Sequence, residues 1–175
     1  MPVSVVKHAL AVLAALFALG ACSGPASDQV VHETVPPPDA FASVSAVLEV
    51  KCGTLDCHGS SARNMRVYGI DGLRLDPMGT TGDQSTTDDE VLATYSSVVS
   101  VQPEVLARVF HDGGRQPERW LPVAKGRELQ EHKGGRRLVA GDDADACITS
   151  WLTSTVDEAR CATGATVGPP GGEAF

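Results

Sequence analysis

The sequence predicts a small, mostly helical domain in which three or four short helices are joined by long loops. Apolar residues recur at helical spacing in four segments, and capping or helix-starting residues precede each of them. Strand-like alternation is limited to residues 66–70 and 73–75, which would form one hairpin at most.

The first predicted helix ends near Lys51. Asp39 is its expected cap, because a carboxylate there can accept hydrogen bonds from the free N–H groups of the first turn. The helical spacing places four apolar side chains on one face of this helix: Phe41, Val44, Val47 and Leu48.

The second predicted helix begins with Thr87 and Glu90, which have the spacing of a capping box. Its expected apolar face consists of Val91, Tyr95, Val98 and Val99. Pro103 ends this helix or opens another, whose apolar residues are Leu106, Val109 and Phe110.

Asp142 or Asp143 is the expected cap of the last helix, in which Ile148, Trp151 and Leu152 face inward. Residues 59–86 and 111–140 are rich in Gly, Pro and Arg and are predicted to be loops. Loops of this length are unusual in a compact domain, and only 5% of the residues are aromatic. Both features favour a bound group that fills part of the core.

Residues 1–21 have the pattern of a bacterial export signal. Lys7 precedes an apolar run at residues 9–21. A segment that spans a bilayer needs about 20 apolar residues, and this run is shorter. The run leads into Leu-Gly-Ala-Cys at 19–22, which resembles the lipobox of bacterial lipoproteins, whose cysteine becomes the lipidated first residue. We expect a lipoprotein of the cell envelope that faces the periplasm. The alternative is a plain signal cut elsewhere, with Cys22 as a free thiol.

The rest of the chain divides into three segments. Residues 22–39 are polar, end in three prolines and a single aspartate, and are a predicted tether. Residues 40–161 form the predicted domain, and residues 162–175, rich in Gly and Pro, are a predicted disordered tail. The net charge of −8 without a basic run gives no indication of nucleic-acid binding. Lipid, not charge, would therefore attach the chain to a membrane.

The segment KCGTLDCHGS, residues 51–60, contains a Cys-x4-Cys-His motif made of Cys52, Cys57 and His58. Covalent haem attachment uses two thiols and an adjacent imidazole, most often as Cys-x-x-Cys-His. The adjacency of Cys57 and His58 is kept here. Residues 53–56 then have to bulge outward, which Gly53 would ease through its wider range of backbone angles.

Two other interpretations of the motif are open. Cys52 and Cys57 could form a small disulfide loop beside a surface histidine. A metal or thiol-redox site is the other possibility, although zinc needs four ligands and only three of the right type are adjacent here.

The motif and its surroundings resemble the small cytochrome c-like domains of bacterial exported lipoproteins, of the planctomycete type. The resemblance rests on a helix leading into Cys-His-Gly at 57–59, on Gly-Leu-Arg-Leu at 72–75, and on His-Lys-Gly-Gly at 132–135 before an acidic turn and a helix with Trp151. It covers roughly residues 40–155. It implies covalent haem c on Cys52 and Cys57, single-electron transfer to a redox partner protein, and a carrier rather than an enzyme.

With haem bound, His58 is the expected proximal ligand of the iron. We rank His132 first as the sixth ligand, because the two glycines beside it would let the backbone approach the haem. Met78 ranks second, since methionine is common in cytochromes c, and His111 ranks third.

If Cys22 carries lipid and Cys52 and Cys57 carry haem, Cys147 and Cys161 are left to form a disulfide. An exported chain lies where disulfides persist. The Cα atoms of a disulfide are about 4.4–6.8 Å apart, so the chain is expected to reverse near Val156 and to return almost fully extended over residues 157–161. Without haem, four cysteines could pair in three ways. The competing function is then a non-catalytic structural or binding lipoprotein with two disulfides and no cofactor.

Lipidation at Cys22 can be tested by detergent partitioning. Expressed in a bacterium that processes lipoproteins, the chain should enter the detergent phase because acyl chains favour an apolar environment. Cys22→Ser should move it to the aqueous phase, whereas Ser23→Ala should not. Partitioning that is the same with and without Cys22 would contradict the prediction.

Overall fold

The computed structural model describes residues 34–70, 72–78 and 84–166. The chain divides into two compact units, Met1–His32 and Glu33–Phe175, and every described residue belongs to the second. The predicted export signal, Cys22 and most of the predicted tail lie outside the described residues. Among the helices of the described part, none has the length and apolar character needed to cross a bilayer.

The described residues are mostly helical, which confirms the predicted fold class. They contain six α-helices, not three or four, and no strand: α1 (Phe41–Cys52), α2 (Asp88–Val99), α3 (Pro103–His111), α4 (Leu121–Gly126), α5 (Asp143–Trp151) and α6 (Glu158–Gly164). In place of the possible hairpin there is one bridge between Tyr68 and Leu73.

Helix α1 begins differently from the prediction. Pro38–Ala40 forms a 3-10 turn directly before it, so Ala40 occupies the cap position and makes no side-chain hydrogen bond there. Asp39 lies inside the turn and is not the cap. The predicted apolar face is confirmed, since the side chains of Phe41, Val44, Val47 and Leu48 are at most 5% exposed.

The predicted starts of α2 and α5 are confirmed. Thr87 and Glu90 form a reciprocal capping box, and Asp142, not Asp143, caps α5 by accepting a hydrogen bond from the Asp145 N–H. Pro103 opens α3, in which Leu106 and Val109 are fully buried. Phe110 is only partly buried and is not part of the core.

Two helices lie where none was predicted. Helix α4 and a 3-10 turn at Pro117–Arg119 fall within the predicted loop 111–140. Helix α6 occupies the segment that was expected to be extended. That expectation was wrong because the chain already reverses at residues 152–154, where Ser154 has a φ of 65°. Asp157 then caps α6, which extends past Cys161, the expected end of the domain.

The reversal brings Cys161 beside Cys147. The two form the expected disulfide, with their Cα atoms 4.7 Å apart. Both cysteines are almost fully buried, and Gly164 lies where a Cβ would be only 2.8 Å from the Ala144 Cα. Helices α5 and α6 are therefore packed backbone to backbone at one end and covalently joined.

An aromatic cluster forms the centre of the core. The ring of Phe41 lies 5.3 Å from Tyr95 and 5.0 Å from Trp151, and Trp120 lies 6.2 Å from Trp151. The Tyr95 hydroxyl donates to the Pro36 carbonyl, and the Trp151 indole N–H donates to the Pro37 carbonyl. These bonds attach the end of the predicted tether to the core, so the packed domain begins before residue 40.

Two buried ion pairs hold the long loops. Arg74 donates to both carboxylate oxygens of Glu90 at 2.9 and 3.0 Å, which joins the loop before α2 to that helix. Arg127 donates to both oxygens of Asp145 at 2.7 and 2.9 Å, which joins the segment after α4 to α5. These contacts join the described residues around Arg74 and Arg127 to helices α2 and α5.

Removal of the Cys147–Cys161 disulfide should lower the free energy of unfolding by about 3 kcal/mol, the entropic contribution of a loop of this size. Urea denaturation of the Cys147→Ala/Cys161→Ala double variant would measure this loss. Reductant should destabilise the wild type but not the double variant. Peptide mapping that finds Cys161 joined to Cys52 would contradict the pairing.

Candidate functional site

The Cys-x4-Cys-His motif begins at the end of α1. Cys52 is the last residue of the helix, and the Gly53 N–H continues the helical hydrogen bonding to the Glu49 carbonyl at 2.9 Å. Gly53 has an ordinary φ of −83°, so the bulge does not use the unusual backbone angles that Gly53 was expected to allow. Its lack of a side chain serves close packing, because a Cβ there would lie 2.7 Å from the Glu49 oxygen.

Three glycine backbones meet at the carbonyl group of Gly53. A Cβ on Gly59 would lie 1.9 Å from that oxygen, and a Cβ on Gly72 would lie 2.1 Å from it. Real Cβ atoms do not approach so closely, so only glycine fits at either position. This crossing, which we call the glycine crossing (Gly53, Gly59 and Gly72), holds the chain after His58 against the end of α1.

The residues between the two cysteines bulge outward, as the spacing requires. Residues 54–56 are exposed, with Leu55 at 64%. The His58 N–H donates to the Cys52 carbonyl at 2.9 Å and closes the bulge. Arg63 donates to the carbonyls of Asp56 and Cys57, both at 3.0 Å. Cys52 and Cys57 are separate thiols in this arrangement.

The imidazole of His58 is held in one orientation. Its Nδ1 lies 2.9 Å from the carbonyl oxygen of Met65, and because a carbonyl only accepts hydrogen bonds, Nδ1 carries the proton. Burial lowers the pKa of His58; the bond to Met65 opposes this, and the charges of His132 and Arg63 lower the pKa further. His58 is therefore neutral at pH 7, with the Nε2 lone pair free.

His132 has a matching arrangement. Its Nδ1 lies 2.9 Å from the Gly135 carbonyl oxygen, and the Gly135 N–H donates to the His132 carbonyl at 2.9 Å. Gly135 has a φ of +66°, in the left-handed region, which this tight turn requires. A Cβ on Gly134 would lie 3.1 Å from the His132 ring. Both glycines therefore serve the placement of this imidazole.

The two imidazoles lie beside each other although 73 residues separate them along the chain. Their ring centres are 6.2 Å apart, and their planes are inclined by 23°. Metal–imidazole bonds of about 2.0–2.1 Å put two ring centres on opposite sides of one metal ion roughly 6 Å apart. The spacing suits a direct ring contact and also a shared metal ion.

An apolar cleft adjoins Cys52. Its volume is about 20 Å³, which is room for about one water molecule. Burial raises the pKa of the Cys52 thiol to about 12, with the charge of Arg137 opposing this and Cys57 adding to it. The lining residues besides Cys52 are Val44, Leu48, Met65, Val98, Trp120, Pro122, Val123, Leu138, Ile148 and Trp151.

The other ligand candidates lie elsewhere. Met78 is 95% exposed, and His111 is the exposed last residue of α3. Within residues 34–70, 72–78 and 84–166, no three His, Cys, Asp or Glu side chains form a group that could hold a metal ion on their own. Haem iron requires only two axial protein ligands, since the porphyrin supplies four nitrogens.

The sequence analysis named Gly59 and Gly72 only as parts of the Cys-His-Gly and Gly-Leu-Arg-Leu segments. It did not predict that both pack against the Gly53 carbonyl, because that packing depends on contacts between distant segments.

Comparisons with protein-family models, with curated proteins and with solved structures found no match to this chain. Its function is therefore argued from its own residues. Two of their features are of the kind that covalent haem needs: two separate thiols, and two imidazoles with ring centres 6.2 Å apart.

Substitution of Gly59 tests the glycine crossing. Gly59→Ala should lower the free energy of unfolding by about 3 kcal/mol, the upper end of the usual cost of overpacking, because overpacking against backbone cannot be relieved by a side-chain movement. Ser60→Ala, at the next position, should change it by no more than about 0.5 kcal/mol. Chemical denaturation measures both values, and a Gly59→Ala protein as stable as the control would refute the crossing.

Proposed function

We propose that this protein is a lipid-anchored electron carrier that binds one haem covalently through Cys52 and Cys57. One observation carries the proposal: His58 and His132, far apart in sequence, have ring centres 6.2 Å apart and each bind a carbonyl through Nδ1. Neither arrangement is needed for a disulfide loop beside a surface histidine. The resemblance of the motif to cytochrome c-like domains supports the same function.

The two cysteines would attach the cofactor. Each thiol adds its sulfur to one carbon of a vinyl group and its hydrogen to the other, so no oxidant or leaving group is needed. The raised pKa of Cys52, about 12, keeps this group a neutral thiol. A thiol-redox or zinc site depends on thiolate, so the environment of Cys52 suits it less well.

His58 and His132 would be the two protein ligands of the iron. Bound haem supplies an iron that changes by one electron between the ferric and ferrous states. A carbonyl acceptor on Nδ1 fixes the tautomer and raises the basicity of the ligating nitrogen. The lowered pKa of His58 also keeps protons from competing for that nitrogen. Methionine in place of one imidazole would raise the reduction potential.

The surroundings suit electron transfer better than substrate chemistry. The cleft is lined by aliphatic and indole side chains and Cys52, which exclude water but offer no acid or base to a substrate. A lipid on Cys22 would hold the carrier at a membrane facing the periplasm, where a redox partner protein would exchange electrons with it.

Expression in the periplasm with a cytochrome c maturation system tests the proposal. The protein should be red and should keep a haem-staining band on a denaturing gel, because thioethers survive denaturation. Cys57→Ser should remove most of the stain, whereas the Cys147→Ala/Cys161→Ala variant should keep it. Iron bound by two imidazoles should be low-spin, without the near-infrared band of methionine ligation.

Matched variants separate the ligands from other residues. His58→Ala and His132→Ala should change the absorption spectrum, whereas His111→Ala and Met78→Leu should leave it unchanged. A colourless wild-type protein in which Cys52 is joined to Cys57 would contradict the proposal and leave a disulfide-stapled lipoprotein.

A further inference from the structure

The basic residues of this acidic chain are concentrated in one segment. Residues 105–137 contain eight of the 14 lysines and arginines but only four of the 22 aspartates and glutamates. The segment therefore carries a net charge of +4, and the rest of the chain, with six basic and 18 acidic residues, carries −12. The basic residues of the segment are dispersed and form no basic run, so only the fold can bring them together.

The end of α3 gathers three arginines and a histidine. Arg108 and His111 are exposed on the last turn of the helix. The Arg119 guanidinium pairs with the Asp112 carboxylate at 3.0 Å, and the Arg115 Nε donates to the Asp112 carbonyl at 3.0 Å. We call the exposed side chains of Arg108, His111, Arg115 and Arg119 the basic face.

The turn after α3 brings these side chains together. Gly113 and Gly114 have φ angles of +68° and +73°, in the left-handed region that favours glycine. They let the chain reverse within two residues, so that Arg115 returns to the end of the helix. The point where a Gly113 Cβ would lie has no atom of the described residues within 4 Å. This end of α3 is therefore open to an approaching surface.

The acidic residues near the basic face do not cancel its charge. Asp112 is already paired with Arg119, and Glu118 is paired with Arg127, which lies outside the basic face. Arg108 forms no ion pair with a described residue. The basic face thus keeps a positive charge for a binding partner.

We propose that the basic face lies against an anionic phospholipid surface. Its four side chains are all exposed, which suits a broad layer of phosphates better than one small enclosed anion. Arginine forms strong charge-assisted hydrogen bonds with phosphate oxygens. The rest of the chain is acidic and is repelled by the same lipids, so the charge asymmetry selects one orientation of the domain on the membrane.

The predicted lipid anchor favours a membrane over an acidic protein as the occupant of this face. The packed domain begins near Pro36, whose carbonyl accepts a hydrogen bond from Tyr95. With lipid on Cys22, the 13 residues 23–35 would separate the anchor from the domain, a span of at most about 45 Å. The membrane would stay within reach of the domain, and a weak attraction would then be enough to orient it.

Flotation with lipid vesicles tests the proposal without the anchor. The chain 23–175 contains the whole second compact unit and can be exported behind a signal that is removed without lipidation. It should float with vesicles of about one third phosphatidylglycerol in phosphatidylcholine at about 0.01 M salt. It should not float at about 1 M salt, where exposed charges are screened within about 3 Å, or with phosphatidylcholine alone.

Variants of the basic face should weaken this binding. One basic residue near an anionic membrane surface strengthens binding roughly fivefold, so Arg108→Gln/Arg115→Gln should bind about 25-fold more weakly. Arg66→Gln/Arg160→Gln is the matched control, because it removes the same charge from exposed arginines outside the basic face, and it should bind like the wild type. Arg108→Lys/Arg115→Lys should also keep the binding, since a layer of phosphates requires charge and not one guanidinium geometry.

Equal binding by the two glutamine variants would overturn the proposal, and so would loss of binding in the lysine variant. A wild-type chain that does not bind the anionic vesicles would also overturn it, and its retention on immobilised polyglutamate would indicate an acidic protein partner instead. Circular dichroism shows whether each variant is folded. If loss of the Arg115 contact unfolds the chain, Arg108→Gln alone should weaken binding about fivefold, and unchanged binding would refute the basic face.

This inference does not depend on the proposed cofactor, because vesicle binding can be measured with or without haem. A wild-type protein without covalent haem would contradict the proposed function and leave the basic face untouched.

Discussion

The candidate site depends on the glycine crossing at the end of α1, where the carbonyl of Gly53 lies against Gly59 and Gly72. Neither Gly59 nor Gly72 has room for a Cβ beside the Gly53 carbonyl. The chain that leaves α1 therefore turns back within a few residues. This turn puts Cys57 and His58 beside Cys52 in spite of the four-residue spacing. The longer spacing is absorbed by exposed residues and leaves the relation between thiol and imidazole intact.

The second half of the site is held by a different kind of constraint. The segment with His132 contains no regular helix, and its ends are joined to the domain through Gly126 and through the pair of Arg127 with Asp145. Buried ion pairs are weak evidence for stability, but loss of one partner is costly. Such a pair selects one loop arrangement over others. Here the selected arrangement brings His132 to His58, which local propensity alone would not do.

The sequence was informative wherever structure follows from nearby residues. The capping box of Thr87 and Glu90 and the buried face of α1 could be predicted because each depends on residues within two turns. Helices α4 and α6 were missed because they are only 6 and 7 residues long, too short to show periodicity, and α4 has a proline in its first turn. Their stability comes from packing and from the disulfide.

The site was predictable in part, for the same reason. Cys52, Cys57 and His58 form a contiguous motif, and His132 was ranked first from its glycines, which do shape the turn around it. The orientation of both imidazoles and the packing of Gly72 depend on contacts between distant segments. Within the described residues no three His, Cys, Asp or Glu side chains form a group that could hold a metal ion on their own. Under the proposed function two imidazoles would be enough, because the porphyrin would supply the other four nitrogens to the iron.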